Sequence, residues 1–200
     1  MPDAEPLFTG FAGDRRVGAG PLAVVAAALK TAIDAGETGQ ILVFDDADAR
    51  TIEIDFRGAH EDVATSVRRA LLARRAQSAP ASDEARRGPG RPKLGVLARE
   101  VTLLPRHWEW LAGQPGGASV ALRRLVEEAS RDREGRQRRR LAQEAAYRFL
   151  SSLAGDRPHF EEALRALFAG EARRFADLIA GWPEDVRDYA LQLTAGAFER

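Results

Sequence analysis

Between Gln77 and Lys93 the chain reads QSAPASDEARRGPGRPK. That stretch is rich in alanine, serine, proline and glycine and has no apolar periodicity. A segment of this kind cannot bury a face of its own, so it is expected to be a flexible linker with separately folding pieces on either side. Four segments follow from it. Residues 1–76 form a small α+β domain, 77–95 a basic linker or arm, 96–131 a strand-helix-helix segment, and 132–200 a helical domain. The expected fold class is α+β: an N-terminal α/β-sandwich-like unit, a central strand-helix-helix and a C-terminal helical bundle.

Charge sharpens the division. Residues 1–60 carry 10 acids and 5 bases, residues 61–140 carry 10 and 18, and residues 141–200 carry 10 and 7. The thirds are therefore −5, +8 and −3, although the whole chain is neutral. A basic middle suits a nucleic-acid partner, or an acidic surface, including the chain's own ends. With no cysteine, disulfides and thiolate metal sites are excluded. The acidic start, MPDAEPLFTG, lacks the basic-then-apolar layout of a signal peptide, and no apolar run reaches the roughly 20 residues of a membrane span. The expectation is a soluble cytoplasmic protein with no membrane partner.

In the first third, Leu7 to Ala12 reads as a strand, Gly13-Asp14 as a turn, and a second short strand runs through Val17. Pro21 opens a helix closed by Gly36, with Leu22, Val25, Leu29 and Ile33 on its buried side. Ile41 to Phe44 is a continuous apolar strand. In TIEIDF, Ile52, Ile54 and Phe56 alternate with polar residues, as a half-exposed strand does. Asp45, Asp46 and Asp48 read as the polar turn between these two strands rather than as a cation site. Glu61 to Ala76 is expected to be helical.

In the last third, a long exposed helix is expected to begin in the arginine run Arg131–Arg140 and to bury Leu141, Ala145, Phe149 and Leu153 before Gly155. Pro158 opens the next helix, with Glu161 and Glu162 suited to its positive end. Gly170 separates that helix from EARRFADLIAGW, and Pro183 begins the last, whose apolar side is Val186, Tyr189, Ala190 and Leu193. The arginine run could hold phosphate or be a solvated helix face.

The centre carries the functional signal. Arg99 to Leu104 is a short apolar run, Pro105 starts a helix, Pro115-Gly116-Gly117 breaks it, and Ser119 caps a second helix. Leu122, Leu125, Val126 and Ala129 form its apolar stripe at i, i+3, i+4 and i+7. This order resembles a ribbon-helix-helix DNA-binding segment. The resemblance implies that two chains pair their strands into a ribbon lying in the major groove of double-stranded DNA. Val101 and Leu103 would face inward, with Arg99 beside them, and Thr102 would meet bases or a thymine methyl. The amides around Ser119 would hold a phosphate. Gly90-Arg91-Pro92 with Lys93 resembles the core of an AT-hook, a thin arm for the narrow minor groove. Arg86 to Arg99 holds five bases and no acids, so Arg86, Arg87, Arg91 and Lys93 could track phosphates. An ordinary strand and helical hairpin inside a monomer, behind a solvated linker, is the plainer alternative.

No GxxxxGK, GxGxxG, GxSxG or HExxH occurs, and His60, His107 and His159 are far apart in sequence. No catalytic, metal or cofactor residue is assigned, and no enzyme is expected. The whole chain resembles an uncharacterised bacterial family, domain of unknown function 2239. The likeness rests on FAGDR (Phe11 to Arg15), on Gly90 to Ala129, and on QEAAYRFLSSLAGD (Gln143 to Asp156). It implies no assigned activity. The expectation from all of this is a DNA-binding protein, a transcriptional regulator acting as a dimer. A protein-interaction or scaffold module is the alternative, and an enzyme with a pocket in the α+β domain a third.

Overall fold

The computed structural model describes residues 6–78 and 100–198. The protein is α+β. Its compact units are residues 1–78 with 135–200, and residues 79–134. The N-terminal and C-terminal regions, expected to fold apart, thus belong to one unit.

Three strands lie in that unit: β1 (Phe8–Ala12), β2 (Arg15–Gly20) and β3 (Ile41–Asp45). They form an antiparallel sheet in the order β2-β1-β3. Ala12 pairs with Arg15 across the tight turn at Gly13, and Phe8 pairs with Asp45 on the other side. As the central strand, β1 is buried throughout, so its side chains serve two faces. Phe8 and Ala12 join Leu22, Val25, Ala26 and Leu29 of α1 (Leu22–Asp34). Gly10 lies on that same face. A Cβ there would stand 2.6 Å from Val25 Cγ1 and 2.9 Å from Leu29 Cδ1, so only glycine lets α1 lie this close. Val63 and Val67 of α2 (His60–Ser78) complete the layer.

The opposite face carries Thr9 and Phe11. Phe11, Phe44, Phe149 and Tyr189 are fully buried there, with ring centroids 4.8 Å apart for Phe149–Tyr189 and 5.1 Å for Phe44–Phe149. The helices supplying the far side are α4 (Gly117–Leu153), α5 (Phe160–Ala169), α6 (Ala172–Ile179) and α7 (Glu184–Thr194), the last followed by a 3-10 turn. The C-terminal helices supply most of this core, and the sheet closes it with Phe11 and Phe44. Pro183 caps α7, Glu184 and Asp185 occupy its first turn, and Gly170 closes α5 with a left-handed φ of 75°. Among the described residues no helix is long and apolar enough to cross a membrane.

The acidic turn after β3 is fastened from several sides. Asp45 Oδ1 accepts the Ala47 amide and Asp48 Oδ1 the Arg50 amide. Thr9 Oγ1 and Tyr189 Oη each donate to Asp46 Oδ1 at 2.8 Å. Arg148 donates to the Asp48 carbonyl at 2.8 Å, and Arg74 pairs with the buried Asp45. Burial, and after it the Asp46 carboxylate, raise the Tyr189 phenol well above its ordinary pKa.

Two expected elements differ. TIEIDF is not a strand: Thr51 alone bridges to Phe44, although Ile52, Ile54 and Phe56 are half-buried and their neighbours exposed. The alternation is right about faces. The ladder stops because the Asp55 amide bonds to Ser66 Oγ on α2, 2.9 Å away, instead of to β3. The second difference is α4, a single helix where the sequence pattern predicts two, one from Ser119 and one from the arginine run. Nothing lies within 4 Å of where a Cβ on Gly135 would stand, so one glycine, at a cost of about 1 kcal/mol, does not interrupt it.

Candidate nucleic-acid interface

Pro105 fixes where the first helix of the second unit begins. It forces an extended conformation on Leu104 (φ −68°, ψ 151°), which becomes the N-cap of α3 (Pro105–Ala112), with the proline just inside. The Gly113 amide returns to the Glu109 carbonyl at 3.3 Å, and that of Gln114 to Leu111 at 3.2 Å. The chain then turns through Gly116 and Gly117, both left-handed at φ 85° and 74°. A Cβ on Gly116 would meet Val120 at 3.1 Å, so the break demands glycine for its dihedral and for its space. This turn sets α3 and the start of α4 as a hairpin.

The hairpin hides little. Leu111 and Ala121 are its buried members among the described residues of this unit. The apolar stripe read from the sequence lies largely open, with Val126 63% and Leu125 38% exposed and Ala129 also exposed. Val101, Leu104, Trp108, Trp110 and Val120 are exposed as well. The charged flank, in contrast, is satisfied within the helix: Arg124 faces Glu128 and Arg131 faces Glu127, each at 3.8 Å.

Of the residues assigned from sequence, Thr102 and Ser119 fall among those described, and both are exposed. Arg86, Arg87, Arg91, Lys93 and Arg99 lie outside them, as does the GRPK arm. Two local expectations change. Glu100 to Leu104 carries no strand, since no other described strand pairs with it to close a ladder. Ser119 is not an N-cap: α4 begins at Gly117, and the Ser119 carbonyl accepts from Arg123 Nε at 3.2 Å. Its place in the first turn still lies at the positive end of the helix.

The family model described as an uncharacterized protein conserved in bacteria, domain of unknown function 2239, matches residues 7–194. The chain belongs to that family. No curated protein and no solved structure matches it. The span of the domain of unknown function 2239 takes in the sheet, the hairpin and α4 to α7 together. Two of the stretches that carried the resemblance end at touching places: Asp14, in the β1–β2 turn, pairs with Arg157, the residue after QEAAYRFLSSLAGD.

A second polar feature is not apparent from the sequence. A cleft of about 860 Å³ opens between residues 50–57 and α2. Its signal lies in Ser66, Arg69, Ala70, Ala73 and Arg74, which share one helical face by spacing, but a face of small and charged residues looks like any solvated one.

Proposed function

We propose that this chain is a DNA-binding protein, a transcriptional regulator that acts as a dimer through residues 96–131. The observation that supports it most is an unfinished hairpin. Among the described residues, a glycine-set pair of helices leaves its own apolar stripe uncovered, behind a short apolar run with no ladder partner. A second copy, pairing that run with its own, would bury both at once. The +8 charge of residues 61–140 supplies attraction to phosphates. In this reading Arg86, Arg87, Arg91 and Lys93 follow the backbone or minor groove, Arg99 and Thr102 stand at the ribbon, and the first turn of α4 at Ser119 holds a phosphate.

Titration of random duplex DNA at several salt concentrations tests the proposal. Log affinity should fall linearly with log salt. Replacing Arg91 and Lys93 with Ala should flatten the slope by about 0.9 for each phosphate no longer neutralised. The uncovered apolar residues by themselves favour a second reading, a protein-interaction or scaffold module. No detectable binding at low salt would leave that one standing.

A further inference from the structure

The cleft beside α2 has one wall that is an unused backbone edge of the run after Thr51. In an extended chain, successive residues aim their N–H and C=O groups at opposite edges. The Ile52 amide reaches back to the Val43 carbonyl of β3 at 2.8 Å, whereas the Asp55 amide reaches across to Ser66 Oγ on α2. Thr51 and Glu53 share the parity of Asp55, so their backbone groups point into the space between the segment and α2. Neither residue's amide or carbonyl has a hydrogen bond among the described residues. The alternation of half-buried Ile52, Ile54 and Phe56 with exposed neighbours fits an extended run through this stretch.

The other wall is helical. Ala70 and Ala73 leave room at its centre. Ser66 spends an acceptor lone pair on Asp55 and keeps its hydroxyl proton to donate. The three aspartates that line the cleft are each taken by an arginine: Asp45 by Arg74, Asp48 by Arg50, and Asp55 by both Nε and Nη2 of Arg57. Arg69 faces the cleft without an ion pair of its own, near enough for its charge to act on Asp55, whose carboxylate Arg57 already holds. Among the described residues the site offers a backbone edge, a hydroxyl, the Arg69 guanidinium and the Glu53 carboxylate, the last two without a side-chain partner.

We propose that this cleft receives an extended peptide carrying one carboxylate side chain as an added strand. The peptide pairs with the backbone of Thr51 and Glu53 and sets a carboxylate side chain against Arg69, with small or β-branched side chains over Ala70 and Ala73. An open backbone edge beside a helix suits this mode: main-chain bonds give affinity and alternate side chains give selectivity. The guanidinium fork favours a carboxylate there. These residues lie outside residues 96–131. Although Arg69 and Arg74 count toward the +8 of residues 61–140, peptide selection and DNA titration read different segments, so one proposal can fail while the other stands.

The test is selection of a displayed library of random heptapeptides on the full chain. Enriched sequences should share one acidic position flanked by β-branched residues. Arg69→Glu, at an exposed position, should weaken the selected peptide roughly tenfold, and Ala73→Trp, which fills the groove, should abolish binding. Hydrogen exchange at the Thr51 and Glu53 amides should slow on binding, which a side-chain-only contact would not cause. Enrichment no greater on the full chain than on Ala73→Trp, selected sequences that are basic or lack an acid, or unchanged exchange at those two amides would each overturn the proposal.

Discussion

In the larger unit, large side chains from five elements converge. Phe11 comes from β1, Phe44 from β3, Phe149 from α4 and Tyr189 from α7, all fully buried, with Val25 and Leu29 of α1 closing the other face of the sheet. In the smaller unit, side chains of equal size stay out: Trp110 is 52% exposed and Val126 63%. Hydrophobicity does not separate the two, since both have regular apolar stripes. Layering does. A helix or strand buries its stripe only against another element. The larger unit supplies a sheet with helices on both faces, whereas the described part of the smaller one supplies two helices and no sheet. Among the described residues, one region is finished by its own chain and the other is not.

The strongest way to break this contrast is to empty the shared core. Phe149→Ala removes the ring that touches Phe11, Phe44 and Tyr189. It should cost about 3–5 kcal/mol in a denaturant titration. Because the sheet and the C-terminal helices share that core, both should melt in one transition. Two separate transitions would restore the picture of independent end domains.

Gly116→Ala asks the same of the smaller unit. A left-handed alanine costs about 1–2 kcal/mol, and its Cβ would press on Val120. The loss should be local: faster amide exchange in α3, with the denaturation midpoint of the larger unit unmoved.

Tyr189→Phe is smaller still. It removes one hydrogen bond to Asp46, which keeps that from Thr9, so about 1 kcal/mol should go. It also changes the alkaline response. In the folded chain the phenol's pKa is raised above its ordinary value near 10, so between these two values the folded state holds a proton that the unfolded state has released. That stabilisation is complete below about pH 10 and is lost as pH rises further. The wild type should weaken above that point, and the phenylalanine variant should lack this component in a pH series of thermal melts.

What the sequence could disclose follows the range of the forces involved. Proline and glycine act within a turn, so the bounds at Pro21, Gly36, Pro105, Gly170 and Pro183 were readable. Alternation likewise gave the right exposed and half-buried sides for Ile52, Ile54 and Phe56. It could not reveal that Ser66, rather than β3, would take the Asp55 amide. Nor could it foresee that Tyr189 would bond to Asp46, 143 residues earlier, and so join the two ends of the chain. At the candidate interface the helical hairpin was legible because its glycine break is local. The strand expected over Arg99 to Leu104 is absent from its described residues, 100–104.

The finest test is a substitution expected to do almost nothing to the single chain. Val126 is 63% exposed, so Val126→Glu should change the stability of dilute protein by no more than about 0.5 kcal/mol. Its consequence should appear only with concentration. If a second copy covers the stripe, the wild-type melting temperature rises with protein concentration, because association stabilises by mass action. The glutamate variant should show a flat dependence and sediment as a monomer, since pairing would bury two unpaired carboxylates. A wild type that melts at one temperature across a hundredfold range of concentration would mean that no second copy covers the stripe. The difference between the two units would then have to be traced to a partner of another kind.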